Sequence, residues 1–196
     1  MNGPAAAALD GLLRGPALVV GGLPPDGRDL DVLVDDAEAR RLPEALRSVG
    51  FHGHRGSWVR NRPDGRDEVD LLPATDEVLP ASELAWLLGS ALPLPGYVRL
   101  LRPSPAATLL LLARRDLVPP LAPRHEARLA AALAEDPGAV AAAGAHAAAW
   151  RVPCALAALL GAGGPRRRYT RAREQQLRSG RTGLGRLRAL RKAVRG

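Results

Sequence analysis

The chain has 196 residues, of which 46% are hydrophobic and 24% charged, and its formal net charge is +8. This apolar fraction is too high for an intrinsically disordered protein, and the length suits one domain with a small second lobe. A single cysteine, Cys154, excludes an internal disulfide and is typical of a reducing compartment. We therefore expect a folded, cytoplasmic protein.

We expect no membrane-spanning segment. The most apolar stretch, residues 137–165, consists largely of Ala and Gly and contains His146 and Arg151. A membrane-spanning helix requires about 20 strongly apolar residues in succession.

The positive charge is concentrated near the C-terminus. Residues 164–196 include 12 basic residues and 1 acidic residue, a net charge of +11, which leaves −3 for the rest of the chain. Such a basic tail is typical of proteins that bind the phosphates of RNA or DNA, or an anionic lipid surface. A solvated extension without a dedicated partner has the same composition, so these interpretations remain open.

The first part of the chain alternates helical and extended patterns. Apolar spacing and turn residues predict a helix, two strands and a second helix, in residues 5–13, 17–20, 29–34 and 36–48. Asp35 or Asp36 is a suitable N-cap for the second helix, and Pro43 can split it into two pieces.

A β-hairpin is predicted next, with strands in residues 51–61 and 68–72 around the turn 62–66. After Pro73 no segment has the pattern of a strand. Helices are predicted in residues 82–88, 104–116, 123–133 and 139–160, the last of which Pro153 can break. The expected fold is therefore α/β (α+β), with a lobe containing a small mixed sheet (residues 1–80), a helical lobe (residues 81–163) and the basic tail.

The chemically informative residues are in the first lobe. Gly21-Gly22 ends the first predicted strand, Asp29 and Asp31 lie on the second, and Asp70 lies on a later one. Asp29 and Asp31 project to the same face, because residues i and i+2 of a strand share a face. If the strand of Asp70 lies beside them, three carboxylates converge, and hard oxygen ligands of this kind suit Mg²⁺. The glycines allow backbone N–H groups to approach a polyphosphate closely.

This arrangement resembles the DNA polymerase β-type nucleotidyltransferase superfamily, in particular its small bacterial members. The resemblance covers about residues 17–72 and consists of a strand ending in Gly-Gly, Asp-x-Asp on the next strand and an Asp on a later strand. It implies a nucleotidyltransferase-like catalytic lobe, followed by a helical lobe. The implied activity is Mg²⁺-dependent transfer of a nucleoside monophosphate from an NTP, with ATP as the expected donor, to a hydroxyl acceptor, with release of pyrophosphate.

The resemblance also assigns roles to residues. Asp29 and Asp31 hold two Mg²⁺ ions, and Asp70 holds the catalytic ion and helps to deprotonate the acceptor hydroxyl. Gly21 and Gly22 cradle the triphosphate. The acceptor is a small molecule, a protein or an RNA end.

Four points stay open from the residues alone. Arg28, beside Asp29, is a hypothetical additional phosphate contact, and Glu68 is an alternative to Asp70 because both alternate to the same face. A catalytically degenerate relative that acts as a binding or regulatory protein, such as an antitoxin-like module, is an alternative function. Binding of RNA or an anionic surface through the basic tail is another.

Overall fold

The computed structural model of the chain describes residues 3–25, 29–54, 56–74, 79–114 and 121–161. Within these residues there are seven α-helices and one mixed sheet of seven strands, so the expected α/β class is confirmed. The chain divides into two compact units, which we call the sheet unit (residues 1–77 and 91–103) and the helical unit (residues 78–90 and 104–196).

The sheet unit contains two helices, α1 (Gly3–Leu12) and α2 (Asp36–Ser48). Its strands are β1 (Ala17–Val19), β2 (Leu30–Val34), β3 (His52–His54), β4 (Ser57–Arg62), β5 (Gly65–Pro73), β6 (Leu92–Pro93) and β7 (Leu100–Arg102). Their order across the sheet is β3-β4-β5-β2-β1-β7-β6. The strand β2 runs parallel to β5 and antiparallel to β1, and β1 runs parallel to β7.

The helix α2 begins and continues for identifiable reasons. The side chain of Asp35 caps it by accepting a hydrogen bond from the backbone N–H of Glu38 at 2.7 Å. Pro43 can in principle split this helix, but α2 is continuous through it. Leu42 and Leu46 lie on the same side of the helix and are both fully buried, and their burial offsets the hydrogen bond that proline cannot donate.

The apolar core of the sheet unit lies between α1, α2 and one face of the sheet. On β2, Leu30, Val32 and Val34 belong to this core, while the residues between them point to the opposite face. The neighbouring strand β5 contributes Val69 and Leu71 to the same core. Each such side chain stabilises the fold by about 1.5–3 kcal/mol through burial.

The expectation that no strand follows Pro73 is wrong. The segment 91–103 contains β6 and β7 and belongs to the sheet unit. The predicted boundary at residue 80 assigned this segment to the helical lobe. These strands have only two and three residues, too few to show an alternating pattern. The segment 51–61 likewise forms two strands, β3 and β4, rather than one, with Gly56 at φ +85° between them.

The helical unit contains α3 (Ala81–Gly89), α4 (Pro105–Arg114), α5 (Pro123–Glu135), α6 (Ala139–Ala147) and α7 (Pro153–Leu159). All residues of α4 from Pro105 to Ala113 are buried, which makes α4 the centre of this unit. The single helix predicted over residues 139–160 is divided into α6 and α7, and Arg151 adopts a positive φ of 59° between them. The basic tail, residues 164–196, lies outside the described residues.

None of the helices among the described residues combines the length and the apolar character that crossing a membrane requires.

Asp10 connects α1 to the segment that leads into β7. Its carboxylate accepts hydrogen bonds from the backbone N–H groups of Arg99 (2.7 Å), Leu100 (2.8 Å) and Val98 (3.0 Å). Burial by itself raises the pKa of Asp10, but these three N–H donors and the charge of Arg99 together lower the pKa below its ordinary value. Burial, and then the charge of Asp10, raise the pKa of Tyr97.

We therefore predict that Asp10 stabilises the fold in a pH-dependent way. Because its pKa is lowered in the folded state, its contribution is complete above the unfolded-state pKa of about 3.9 and is lost as pH falls through the lower, folded-state pKa. We expect Asp10→Ala to reduce the free energy of unfolding at pH 7 by about 1–3 kcal/mol, because three N–H groups lose a charged acceptor. Urea denaturation at pH 7 and at pH 3 measures the effect.

The difference between wild type and Asp10→Ala should be clearly smaller at pH 3 than at pH 7. Asp64→Ala is the control, because the Asp64 side chain is 71% exposed in the turn between β4 and β5. An equal difference at both pH values would contradict the assignment.

Candidate metal centre

Two aspartates, one on β2 and one just before it, face away from the core of the sheet unit. Asp31 lies within β2 and Asp29 immediately precedes it, and both alternate with the core residues Leu30 and Val32. Asp31 is only 2% exposed, whereas Asp29 is partly exposed. The alternation that sends the apolar side chains of β2 into the core thus sends its two carboxylates to one site on the other face.

The third aspartate comes from the adjacent strand. Because β2 and β5 are parallel with Leu30 opposite Val69, Asp31 lies opposite Asp70. One carboxylate oxygen from each of Asp29, Asp31 and Asp70 lies within 4.8 Å of the others. The structure therefore brings together the three aspartates that the sequence singled out.

This cluster has the donor set of a site for a hard cation. Three carboxylates held this close repel one another, and a cation among them removes the repulsion. All the donors are oxygen atoms, which Mg²⁺ prefers, and Mg²⁺ sites use one or two carboxylates together with water and substrate phosphates. Within the part of the chain that the structure describes, this is the only group of three or more Asp, Glu, His or Cys side chains close enough to share a metal ion.

Gly21 forms one wall of the cluster. A Cβ atom at this position would lie 2.4 Å from Oδ2 of Asp31 and 2.9 Å from its Cβ, distances at which a side chain must be displaced. The preceding residue, Val20, donates its backbone N–H to the carbonyl oxygen of Asp31 at 2.9 Å, which fixes this approach. Only glycine therefore fits at position 21 while Asp31 keeps its present place.

The sequence also singled out Arg28, Gly22 and Glu68. Arg28 lies outside the described residues, and Gly22 follows Gly21 in the bend after β1. Binding of the triphosphate by the backbone of both glycines remains a prediction. Glu68 is outside the cluster of three, and its Oε2 lies 3.7 Å from Nη2 of Arg66.

One neighbouring residue was not singled out from the sequence. Ser57 of β4 lies opposite Asp70 in the antiparallel pairing of β4 and β5, so its hydroxyl group is on the same face of the sheet. Only the register of the two strands reveals this neighbour, and no sequence motif marks it.

The chain was compared with known proteins. No protein-family model matches it, and no curated protein matches it significantly. The functional interpretation therefore depends on the residues and on the geometry of the aspartate cluster.

The contact between Gly21 and Asp31 leads to a prediction. We expect Gly21→Ala to lower the affinity for a divalent cation by at least ten-fold, because the new methyl group displaces the Asp31 carboxylate, and disturbing the groups around metal ligands typically costs 10–100-fold. Mn²⁺ is the probe, and its binding is followed by paramagnetic resonance of the free ion.

Gly11→Ala is the matched control, because a Cβ atom at Gly11 of α1 meets nothing within 4 Å. This variant should bind Mn²⁺ as the wild type does and should be slightly more stable. Unchanged Mn²⁺ affinity in Gly21→Ala would show that Gly21 does not position Asp31.

Proposed function

We propose that the protein is a Mg²⁺-dependent nucleotidyltransferase, which transfers a nucleoside monophosphate from an NTP to a hydroxyl acceptor and releases pyrophosphate. The observation that carries this proposal is the convergence of Asp29, Asp31 and Asp70 within 4.8 Å on two parallel strands. The order of Gly-Gly, Asp-x-Asp and the later Asp along the chain supports it through the resemblance to the polymerase β-type superfamily. We expect ATP as the donor and a cytoplasmic location, where NTPs are made and used.

The donor set fits Mg²⁺ in this role. In-line displacement at phosphorus commonly uses two ions about 3.5–4 Å apart that are shared by carboxylates. In the proposal Asp29 and Asp31 would hold both ions, and Asp70 would be a further ligand of one of them. When bound, Mg²⁺ lowers the pKa of the acceptor hydroxyl and neutralises charge on the leaving pyrophosphate.

The residues of the chain then have distinct tasks. Asp31 presents its carboxylate from a strand paired with β5 and has Gly21 beside it, which reduces the reorganisation needed during the proposed reaction. Asp70 accepts the proton of the acceptor hydroxyl as the new bond to the α-phosphorus forms, and the bond to the pyrophosphate oxygen breaks. The backbone at Gly21 and Gly22 binds the triphosphate, and Arg28 is an additional contact to it in this proposal.

The proposal predicts nucleotide binding that requires both Mg²⁺ and the aspartates. We expect one NTP with Mg²⁺ to stabilise the full chain by about 2.7 kcal/mol at 100 times its Kd. Asp29→Asn/Asp31→Asn should abolish this stabilisation, because the double variant removes two of the three carboxylates. Thermal unfolding is measured with each NTP, with and without Mg²⁺, at about 0.2 M salt to screen the basic tail.

The control is Asp64→Asn, which removes a carboxylate that is 71% exposed in the turn between β4 and β5 and is not part of the cluster. It should keep the full stabilisation. An assay of pyrophosphate release in the presence of candidate hydroxyl acceptors then distinguishes an active enzyme from a catalytically degenerate, regulatory relative. A folded wild type that no NTP stabilises would contradict the proposed function.

A second candidate function, binding of RNA or another polyanion, is favoured by the charge of the tail. Residues 164–196 carry +11, while the rest of the chain carries −3. We predict that deletion of residues 164–196 abolishes binding to a poly(U) oligonucleotide and leaves Mg²⁺-dependent NTP binding unchanged. In the wild type, the logarithm of the affinity for RNA should fall linearly with the logarithm of the salt concentration.

Fluorescence anisotropy of labelled poly(U) at three salt concentrations measures this prediction. Vesicles with anionic lipid, tested in parallel, distinguish a membrane surface from RNA. If the protein that lacks residues 164–196 binds poly(U) as well as the full chain does, the tail is not the binding element.

A further inference from the structure

Ser57 lies beside the aspartate cluster, on the side away from β1. The order of the strands places β5, which carries Asp70, between β4 and β2. Asp70 is therefore directly opposite two residues in the sheet, Asp31 of β2 and Ser57 of β4. An ionised aspartate only accepts hydrogen bonds, whereas a serine hydroxyl group can also donate one. Of these two opposite residues, Ser57 is thus the one that can donate to the carboxylate of Asp70.

The side chains of Ser57 and Asp70 lie on the same face of the sheet. The next residue of β4, Trp58, is 2% exposed and belongs to the core of the sheet unit, where it lies opposite Val69. Because side chains alternate along a strand, Ser57 and Asp70 both point away from that core. Both are partly buried, so the hydroxyl group and the carboxylate belong to one surface.

The backbone pairing brings these two side chains close together. The N–H of Leu71 donates a hydrogen bond to the carbonyl oxygen of Gly56 at 2.6 Å, so Gly56 and Leu71 face one another through their backbones. In an antiparallel pair such positions alternate with non-hydrogen-bonded ones, at which the Cα atoms are about 4.5 Å apart and the side chains are closer. Ser57 and Asp70 form the latter kind of pair, and its short separation lets a serine hydroxyl group reach an aspartate carboxylate.

The second carboxylate on this face of β5 has a different neighbour. Glu68 lies opposite Val59 of β4, whose side chain has no polar group. The Oε2 atom of Glu68 lies 3.7 Å from Nη2 of Arg66, and Glu68 is not part of the cluster. The hydroxyl group of β4 is therefore opposite the carboxylate that belongs to the cluster, and an apolar side chain is opposite the one that does not.

We propose that Ser57 is a positioning residue of the candidate metal centre and donates its hydroxyl hydrogen to the carboxylate of Asp70. This inference rests on the proposed function, in which Asp70 is a metal ligand. Carboxylates that bind a metal are themselves held by hydrogen bonds, and loss of such a partner typically costs about 10–100-fold in metal affinity. A hydrogen bond from a hydroxyl group to a carboxylate is charge-assisted, and it fixes the direction in which Asp70 presents an oxygen atom to the cation.

Two variants of the same shape test the hydroxyl group. Ser57→Thr keeps it and Ser57→Val replaces it by a methyl group, and both residues are favoured in strands. Mn²⁺ binding to the full chain is followed by paramagnetic resonance of the free ion. The affinity should stay within about three-fold of the wild type in Ser57→Thr and should fall by about ten-fold or more in Ser57→Val. Urea denaturation without metal should show that Ser57→Val is as stable as Ser57→Thr, which separates an effect on the site from an effect on folding.

Val59→Thr is the matched control, because it makes the reverse exchange on the same face of β4, opposite Glu68. It should bind Mn²⁺ as the wild type does. If Ser57→Val does not fold, Ser57→Ala takes its place, with the same expected loss of affinity.

The double variant Asp29→Asn/Asp31→Asn distinguishes a failure of this inference from a failure of the proposed function. If the wild type binds Mn²⁺ and the double variant does not, equal affinities of Ser57→Thr and Ser57→Val would overturn the role of Ser57 and leave the metal centre intact. A wild type that binds Mn²⁺ no better than the double variant would overturn the metal centre, and the role of Ser57 with it.

Discussion

The register between β2 and β5 is the constraint on which the candidate metal centre depends. Leu30 and Val69 are opposite one another in the core, and so Asp31 and Asp70 are opposite one another on the other face. A slip of one residue would turn a carboxylate into the apolar core and a valine or leucine out of it. The burial that holds these strands in register therefore also assembles the aspartates, with no interaction between the aspartates needed to do so.

Two other carboxylates of the described residues pair with donors from within their own unit. Asp67 is fully buried and pairs with Arg60 at 2.7 Å and Arg62 at 3.0 Å. Glu83 pairs with His146 and Trp150 in the helical unit. The candidate site gathers three carboxylates from two adjacent strands, and a cation among them would reduce the repulsion between their charges.

The sequence was most informative where a pattern is local. The alternation in residues 29–34 predicted β2 and the shared face of Asp29 and Asp31, because strand periodicity is a property of neighbouring residues. The strand β7 was not predicted, since its three residues are extended through pairing with β1, about 80 residues earlier in the chain. Asp70 was preferred to Glu68 only through the resemblance, because both lie on the same face of β5, and the register now places Asp70 opposite Asp31.

Gly21 has two proposed roles, an approach of its backbone to a phosphate and a close contact with Asp31. Only the first can be inferred from the sequence. A glycine pair after a strand allows the backbone to approach a phosphate closely, and this prediction came from the motif together with the aspartates that follow it. The contact with Asp31 depends on how the end of β1 lies against β2, which no local pattern encodes. Because a side chain at position 21 would displace the Asp31 carboxylate, glycine is required there for the aspartate cluster to keep its geometry, whether or not the backbone also binds a phosphate. The aspartate cluster and the backbone proposed to bind the phosphates are thus coupled through the absence of a side chain at one position.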